Sequence, residues 1–152
     1  MFYEKYLEKN YIVFMDECGI NNTSFKQNQY SKKGQKKILH GRARVKCRSL
    51  LLTVSMEGHE LHQFIEGGLN QFNFIEYMKA LKHKLVEIKK IPLEQIVVFL
   101  DNCPAHDSYY TRYNLNNLGM KCIFNIKCTP AFNIIETVFA DMKFSIRRAN
   151  IK

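Results

Sequence analysis

The chain has 152 residues, 46% of them hydrophobic and 12% aromatic, with a formal charge of +9. That length and apolar content give one domain with a real core and exclude a disordered chain. No apolar run reaches the roughly 20 residues of a membrane span, and the mixed-charge N-terminus MFYEKYLEKN has no signal-peptide core.

In chain order, Tyr11–Met15 is apolar throughout, which predicts a central buried strand with Asp16 at its end. Asn21–Gly34 is polar and reads as a loop. Gly41–Ser49 sets Arg42, Arg44, Lys46 and Arg48 on one face against Ala43, Val45 and Cys47 on the other, a half-buried strand with a basic outer side. Leu50–Ser55 continues as strand, Glu57-Gly58 signals a turn, and Leu61–Ile65 pairs back as a hairpin. After Gly67-Gly68 a helix is expected over Asn73–Lys89, capped by Asn73, with Phe74, Met78, Leu81, Leu85 and Ile88 on one face. Pro92 ends that region. Gln95–Leu100 is a second buried strand and delivers Asp101. A short helix over Asp107–Asn117 closes at Gly119, and Lys121–Ile126 is another strand. A last helix runs from Asn133 to Ala149, with Ile134, Ile135, Val138, Phe139 and Met142 inward and Glu136 in its first turn. This order predicts an α/β protein with a mixed central sheet and helices on both faces, the ribonuclease H-like arrangement, as a single domain over residues 1–152.

Two features speak to function. Between Cys18 and Met56 there is no acid, but there are nine bases: Lys26, Lys32, Lys33, Lys36, Lys37, Arg42, Arg44, Lys46 and Arg48. The remaining 14 bases match 14 acids, so the whole excess charge lies there. Such a patch favours a polyanion, nucleic acid first; the alternative is a solvated basic hairpin. The second feature is the placing of Asp16, Asp101 and Glu136 at the ends of apolar elements, where an acid costs desolvation energy. Close carboxylates raise one another's pKa, and divalent cations relieve that repulsion. Hard cations such as Mg²⁺ or Mn²⁺ take carboxylate oxygens, so the three acids suit a two-metal phosphoryl-transfer centre; singly, each also fits a capping or surface role. Glu17 is a weaker candidate, because strand alternation turns it away from Asp16. Lys143 and Arg147 share the face of Glu136 and can hold a nucleic-acid backbone, or form an ordinary solvated face. His106, Asn102 and Asn133 flank the acids as supporting candidates, or serve only as local caps. His59 and His62 fall near a turn and read as surface residues. Five cysteines (Cys18, Cys47, Cys103, Cys122 and Cys128) form no CxxC pair, which speaks for reduced thiols in an intracellular protein. No phosphate-binding glycine loop, GxSxG or Cys/His nucleophile pair is present.

At these residues the chain resembles the catalytic domain of mariner-like transposases and their bacterial insertion-sequence relatives. The blocks are FMDECGI around Asp16, FLDNCPAH around Asp101 and TPAFNIIETVFADMK around Glu136, with 34 residues between the last two acids. YSKKGQK and RSLLLTVSMEG also resemble family segments, so the likeness spans Tyr11 to Arg148. It implies a ribonuclease H-like fold and metal-dependent DNA strand cleavage and strand transfer, with Asp16, Asp101 and Glu136 as the metal-binding triad for two Mg²⁺ or Mn²⁺ ions. It also implies a homodimer handling both transposon ends and target DNA, in the nucleus or the bacterial cytoplasm according to host. Ile134 replaces the family's usual proline and Phe139 its frequent tryptophan. The family's N-terminal helix-turn-helix finds no room here, so a separate polypeptide carrying one is an expected partner. Two other readings stand beside this one: a domesticated or decayed fragment that serves as a non-specific DNA-binding and assembly module, and a stand-alone ribonuclease H-like nuclease.

Overall fold

The apolar run that opens at Tyr11 forms strand β1 (Tyr11–Ile20) in the computed structural model of the protein, which describes residues 9–20, 48–125 and 134–149. Four strands follow: β2 (Arg48–Ser55), β3 (Gly58–Glu66), β4 (Ile96–Leu100) and β5 (Lys121–Phe124). They make one mixed sheet in the order β3-β2-β1-β4-β5. The β3–β2–β1 half is antiparallel and the β1–β4–β5 half parallel. β1 is central, as a strand without a polar face must be when both its sides are covered.

Helices α1 (Gln71–Lys82) and α2 (Tyr109–Leu118) pack on one face, and α3 (Ile134–Ala149) packs on the other. Alternation in β1 decides which residues meet which helix. Val13 and Met15 join Leu51, Val98, Phe74, Met78 and Leu115 in the larger core. Phe14, Cys18 and Ile20 point the other way, towards Leu50, Leu52, Ile135 and Phe139. Burying each such large side chain contributes about 1.5–3 kcal/mol. Within the larger core the Tyr77 hydroxyl donates to the Leu61 carbonyl at 2.9 Å and lies 2.8 Å from Thr53 Oγ1. At the amino end of β1, buried Glu60 takes bonds from Lys89 and Ser55, each at 2.7 Å, and from Tyr11. This clasp ties β1, the β2–β3 hairpin and the chain after α1 together.

Several expectations shift. β1 runs four residues past Asp16, because its antiparallel pairing with β2 continues to Ile20 opposite Arg48. Asp16 therefore lies inside a strand, whereas Asp101 stands just beyond β4. The cap of α1 is Asn70, not Asn73: its side chain accepts from the amides of Phe72 and Asn73. The long helix expected over Asn73–Lys89 is α-helical only to Lys82 and continues as a π-helix over His83–Ile88. The wider π turn rotates the last residues off the buried stripe. Leu85 stays buried, but Ile88 becomes exposed. Ile134, expected inward, is also exposed, while its neighbour Ile135 is fully buried. Most of the basic strand expected over Gly41–Ser49 lies outside the described residues. Among the described residues, no helix is long and apolar enough to cross a membrane.

Candidate metal centre

Parallel pairing of β1 with β4 sets the stage. Phe14 pairs with Phe99, so two further steps along both strands bring Asp16 level with Asp101. Asp16 shares its face with Phe14 and Cys18, which pack against α3 through Ile135 and Phe139. Glu136, next to Ile135, sits in the first turn of that helix and is exposed. The fold thus brings one acid from a central strand, one from the adjacent strand end and one from the covering helix to the same end of the sheet.

The electrostatics register this approach. Asp16 is buried and its carboxyl is pushed up to about 6. Burial is the largest cause, and the charges of Asp101 and Glu136 add to it; the Glu17 amide, donating to Asp16 Oδ1 at 2.7 Å, and the His106 ring oppose it. Asp101 moves the other way. The His106 imidazole, with Nδ1 at 2.6 Å from Asp101 Oδ1, holds this carboxyl below its ordinary range against the opposing effect of burial. The Cys103 amide also donates to Oδ1, at 3.2 Å. Two adjacent carboxylates therefore differ in proton affinity, one kept ionised by its neighbours and one pushed toward the neutral acid.

His106 is wholly buried, with its ring 4.4 Å from that of Phe74. Its main-chain amide closes a turn onto the Cys103 carbonyl at 2.8 Å, and Ser108 then caps α2. The short stretch from Asp101 to Ser108 thus fixes the imidazole between an acid and an aromatic ring. Asn102 plays a different part: its side chain donates to the Asn125 carbonyl, and the Asn125 amide donates to Leu100, fastening the ends of β4 and β5. Glu17 lies on the opposite face and accepts from Ser49 Oγ at 2.8 Å.

Other sequence candidates are placed as follows. Arg48 is exposed at the start of β2, 4.0 Å from Glu66. Lys143 is exposed on α3, seven residues after Glu136. Lys32, Lys33, Lys36, Lys37, Arg42, Arg44, Lys46 and Asn133 lie outside the described residues, as does the side chain of Arg147. His59 and His62 are exposed, with ring nitrogens 3.0 Å apart. Cys103 was not singled out by sequence; burial raises its thiol, and Asp101, Glu17 and Asp16 add to that. Its position two residues after Asp101 was the available signal. Among the described residues Cys18, Cys103 and Cys122 are free thiols. Also among the described residues, no three His, Cys, Asp or Glu side chains stand close enough to hold one ion. The acids are electrostatic neighbours without forming a closed ligand set, since the Asp101 carboxylate is turned onto His106.

Residues 11–152 match the family described as DDE superfamily endonuclease. The chain belongs to that family. This DDE superfamily endonuclease is similar in fold to the Mos1 transposase in its paired-end complex with the left transposon end, at TM-score 0.73 and 18% identity over 95% of this chain. The Mos1 mariner paired-end complex with Mn gives TM-score 0.71 at 18% identity over 94% of this chain. The catalytic domain of Mos1 mariner transposase gives 0.67, also at 18% identity and over 94% of this chain. The chain spans 44% of the Mos1 chain in those complexes and 63% of the catalytic domain. No curated protein matches the sequence. The mixed five-stranded sheet with helices on both faces is thus the ribonuclease H-like arrangement expected from the order of elements.

Proposed function

We propose that Asp16, Asp101 and Glu136 bind divalent metal, as a pair of Mg²⁺ or Mn²⁺ ions, and that the chain cleaves and rejoins DNA strands. The observation that carries this reading is the level placing of Asp16 and Asp101 on adjacent parallel strands, with Asp16 feeling the charge of Asp101 and Glu136. Membership of the endonuclease family and the likeness to a Mos1 complex with Mn support it. The donor set fits hard cations, because three carboxylates with adjoining solvent are the ligands such ions take. When bound, the metal supplies Lewis-acid stabilisation of the phosphoryl group and of the attacking oxygen.

The chain's own residues then have separable tasks. Asp16 offers a buried carboxylate that resists ionisation while its neighbours are negative. His106 holds Asp101 ionised and fixes its direction. Glu136, exposed on the first turn of α3, would complete the ligand set from the solvent side when metal is bound. Lys143 lies along the same helix where a phosphate backbone would pass. In hydrolysis, a water oxygen bonds to phosphorus, the 3′ oxygen departs and takes up a proton, and a 5′ phosphate remains. In strand transfer the freed 3′ hydroxyl replaces water as nucleophile, so one site serves both steps. The paired-end complexes among the similar structures support binding of DNA ends, and two copies acting together would let both ends be handled at once.

The test is nicking of supercoiled plasmid with Mg²⁺ or Mn²⁺. Asp101→Ala should abolish the nicked product; undiminished nicking by that variant would remove the metal-site assignment. Cleavage of RNA–DNA hybrid with no nicking of DNA would favour a ribonuclease instead.

A further inference from the structure

The solvent edge formed by the first turns of α1 and α2 carries four large aromatic rings. Tyr109 is 87% exposed, Tyr113 59%, Phe72 57% and Tyr110 38%. Phe72 and Tyr110 touch across the two helices, with ring centroids 5.1 Å apart. Tyr109 and Tyr113 are four residues apart on α2 and share one face. None of these rings is needed to fill the core, which closes beneath them with Phe74, Met78 and Leu115. Exposing four rings together leaves apolar area in water, so the cluster calls for a ligand rather than a packing account.

Its position narrows the ligand. Phe74, two residues beyond Phe72, packs under His106, which holds Asp101. Tyr109 and Tyr110 begin the helix that follows the Asp101–Ser108 turn. The rings therefore lie on the rim at the same end of the sheet as the acids. Their chemistry narrows it further: these are flat π surfaces rather than aliphatic ones. Lys79 and Arg112 on these two helices are each paired with an acid, Glu76 and Asp107, so flat apolar faces rather than charge mark this edge. A polymer that carries flat rings and is handled at the adjoining acidic site, as DNA is in the proposed function, meets these features. A fully paired duplex hides its base faces, whereas an unpaired strand presents them.

We propose that Phe72 and Tyr110, with Tyr109 and Tyr113 beside them, form a ledge that stacks unpaired nucleobases of a DNA strand next to the acidic site. This rests on the DNA-cleavage reading and deepens it by naming the form of DNA that the rim accepts. The ledge holds a strand end open after cleavage, or a distorted flank before it, while phosphate contacts position the rest.

The experiment compares binding of a labelled mixed-sequence single strand and its duplex by fluorescence anisotropy, in EDTA so that no strand is cut. Leucine keeps apolar bulk but removes the π face. Phe72→Leu combined with Tyr110→Leu should weaken single-strand binding about tenfold and duplex binding less than about twofold, since stacking on one base is worth roughly that much. Tyr109→Leu with Tyr113→Leu should act in the same direction. Tyr110→Phe keeps the ring and should bind as the parent does; it also guards against misfolding as the cause of any loss. Equal losses for the two DNA forms, or no loss, overturn the proposal; no loss would leave an apolar protein partner as the occupant of this edge. Asp101→Asn separates the two readings: it should end plasmid nicking, while the selective loss of single-strand binding caused by the leucine changes persists in its background. A parent that nicks DNA but ignores the leucine changes keeps its cleavage function and loses the ledge.

Discussion

Asp16→Asn should stabilise the metal-free protein while destroying its activity. The Asp16 carboxyl is moved from 3.8 to about 6, first by burial and then by Asp101 and Glu136. At 1.36 kcal/mol per tenfold change in proton affinity, ionising this group at neutral pH costs the folded state about 3 kcal/mol. The sign follows from proton binding. Below about pH 4 both folded and unfolded chains hold the proton; between about 4 and 6 only the folded chain does; above that neither does. Stability from this group is therefore intact in acid, falls across that window, and carries the full penalty at pH 7. Asparagine keeps the oxygen that accepts from the Glu17 amide at 2.7 Å and cannot ionise. Thermal unfolding in EDTA followed by circular dichroism should show the variant melting on the order of 10 °C above the parent at pH 7. The two should converge near pH 4. Mg²⁺ should raise the melting point of the parent and not that of the variant. An Asn variant that is no more stable at pH 7, or whose advantage does not depend on pH, would refute the electrostatic account of the acidic cluster.

Asp101→Asn should lack this stabilisation, because His106 lowers the Asp101 pKa; its contribution is present above the unfolded pKa and is lost as pH falls, and the same melts check it. His106→Ala should lower Mn²⁺ affinity by about 10- to 100-fold in calorimetry, the usual cost of removing a partner that orients a metal ligand. Tyr77→Phe should cost about 1–3 kcal/mol in urea unfolding, since it strips a buried partner from Thr53 and the Leu61 carbonyl. Gly119→Ala should cost about 1 kcal/mol or more by the same method: Gly119 has φ 68°, and an added Cβ would sit 3.4 Å from Leu93 Cδ2.

The two apolar runs that become β1 and β4 were readable because unbroken β-branched sequence suits a strand covered on both sides. The helix carrying Glu136 was readable from its apolar spacing. Other details were not, for definite reasons. Asn70 and Asn73 are both acceptable caps three residues apart, and only the main-chain path chooses between them. Nothing in HKLVEI announces a π turn, yet that turn sends Ile88 to the surface. Asp16 looked like a strand terminus because the apolar run stops there; the strand goes on because β2 supplies partners to Ile20. The grouping of the acids was inferred from their types and positions, whereas the opposite shifts of Asp16 and Asp101 depend on the turn that brings His106 back onto Asp101. The exposed rings of α2 had no sequence signature, since tyrosines in a short helix fit a buried face equally well.

The parallel seam between β1 and β4 carries a consequence for biosynthesis. Its two acids come from distant parts of the chain, and Glu136 stands on a helix made later than both. Such long-range pairings form late and slowly. A nascent or half-folded copy would hold one or two of these carboxylates without the remainder. On the proposed metal-binding reading, the site would be assembled only once β1, β4 and the helix carrying Glu136 have all docked.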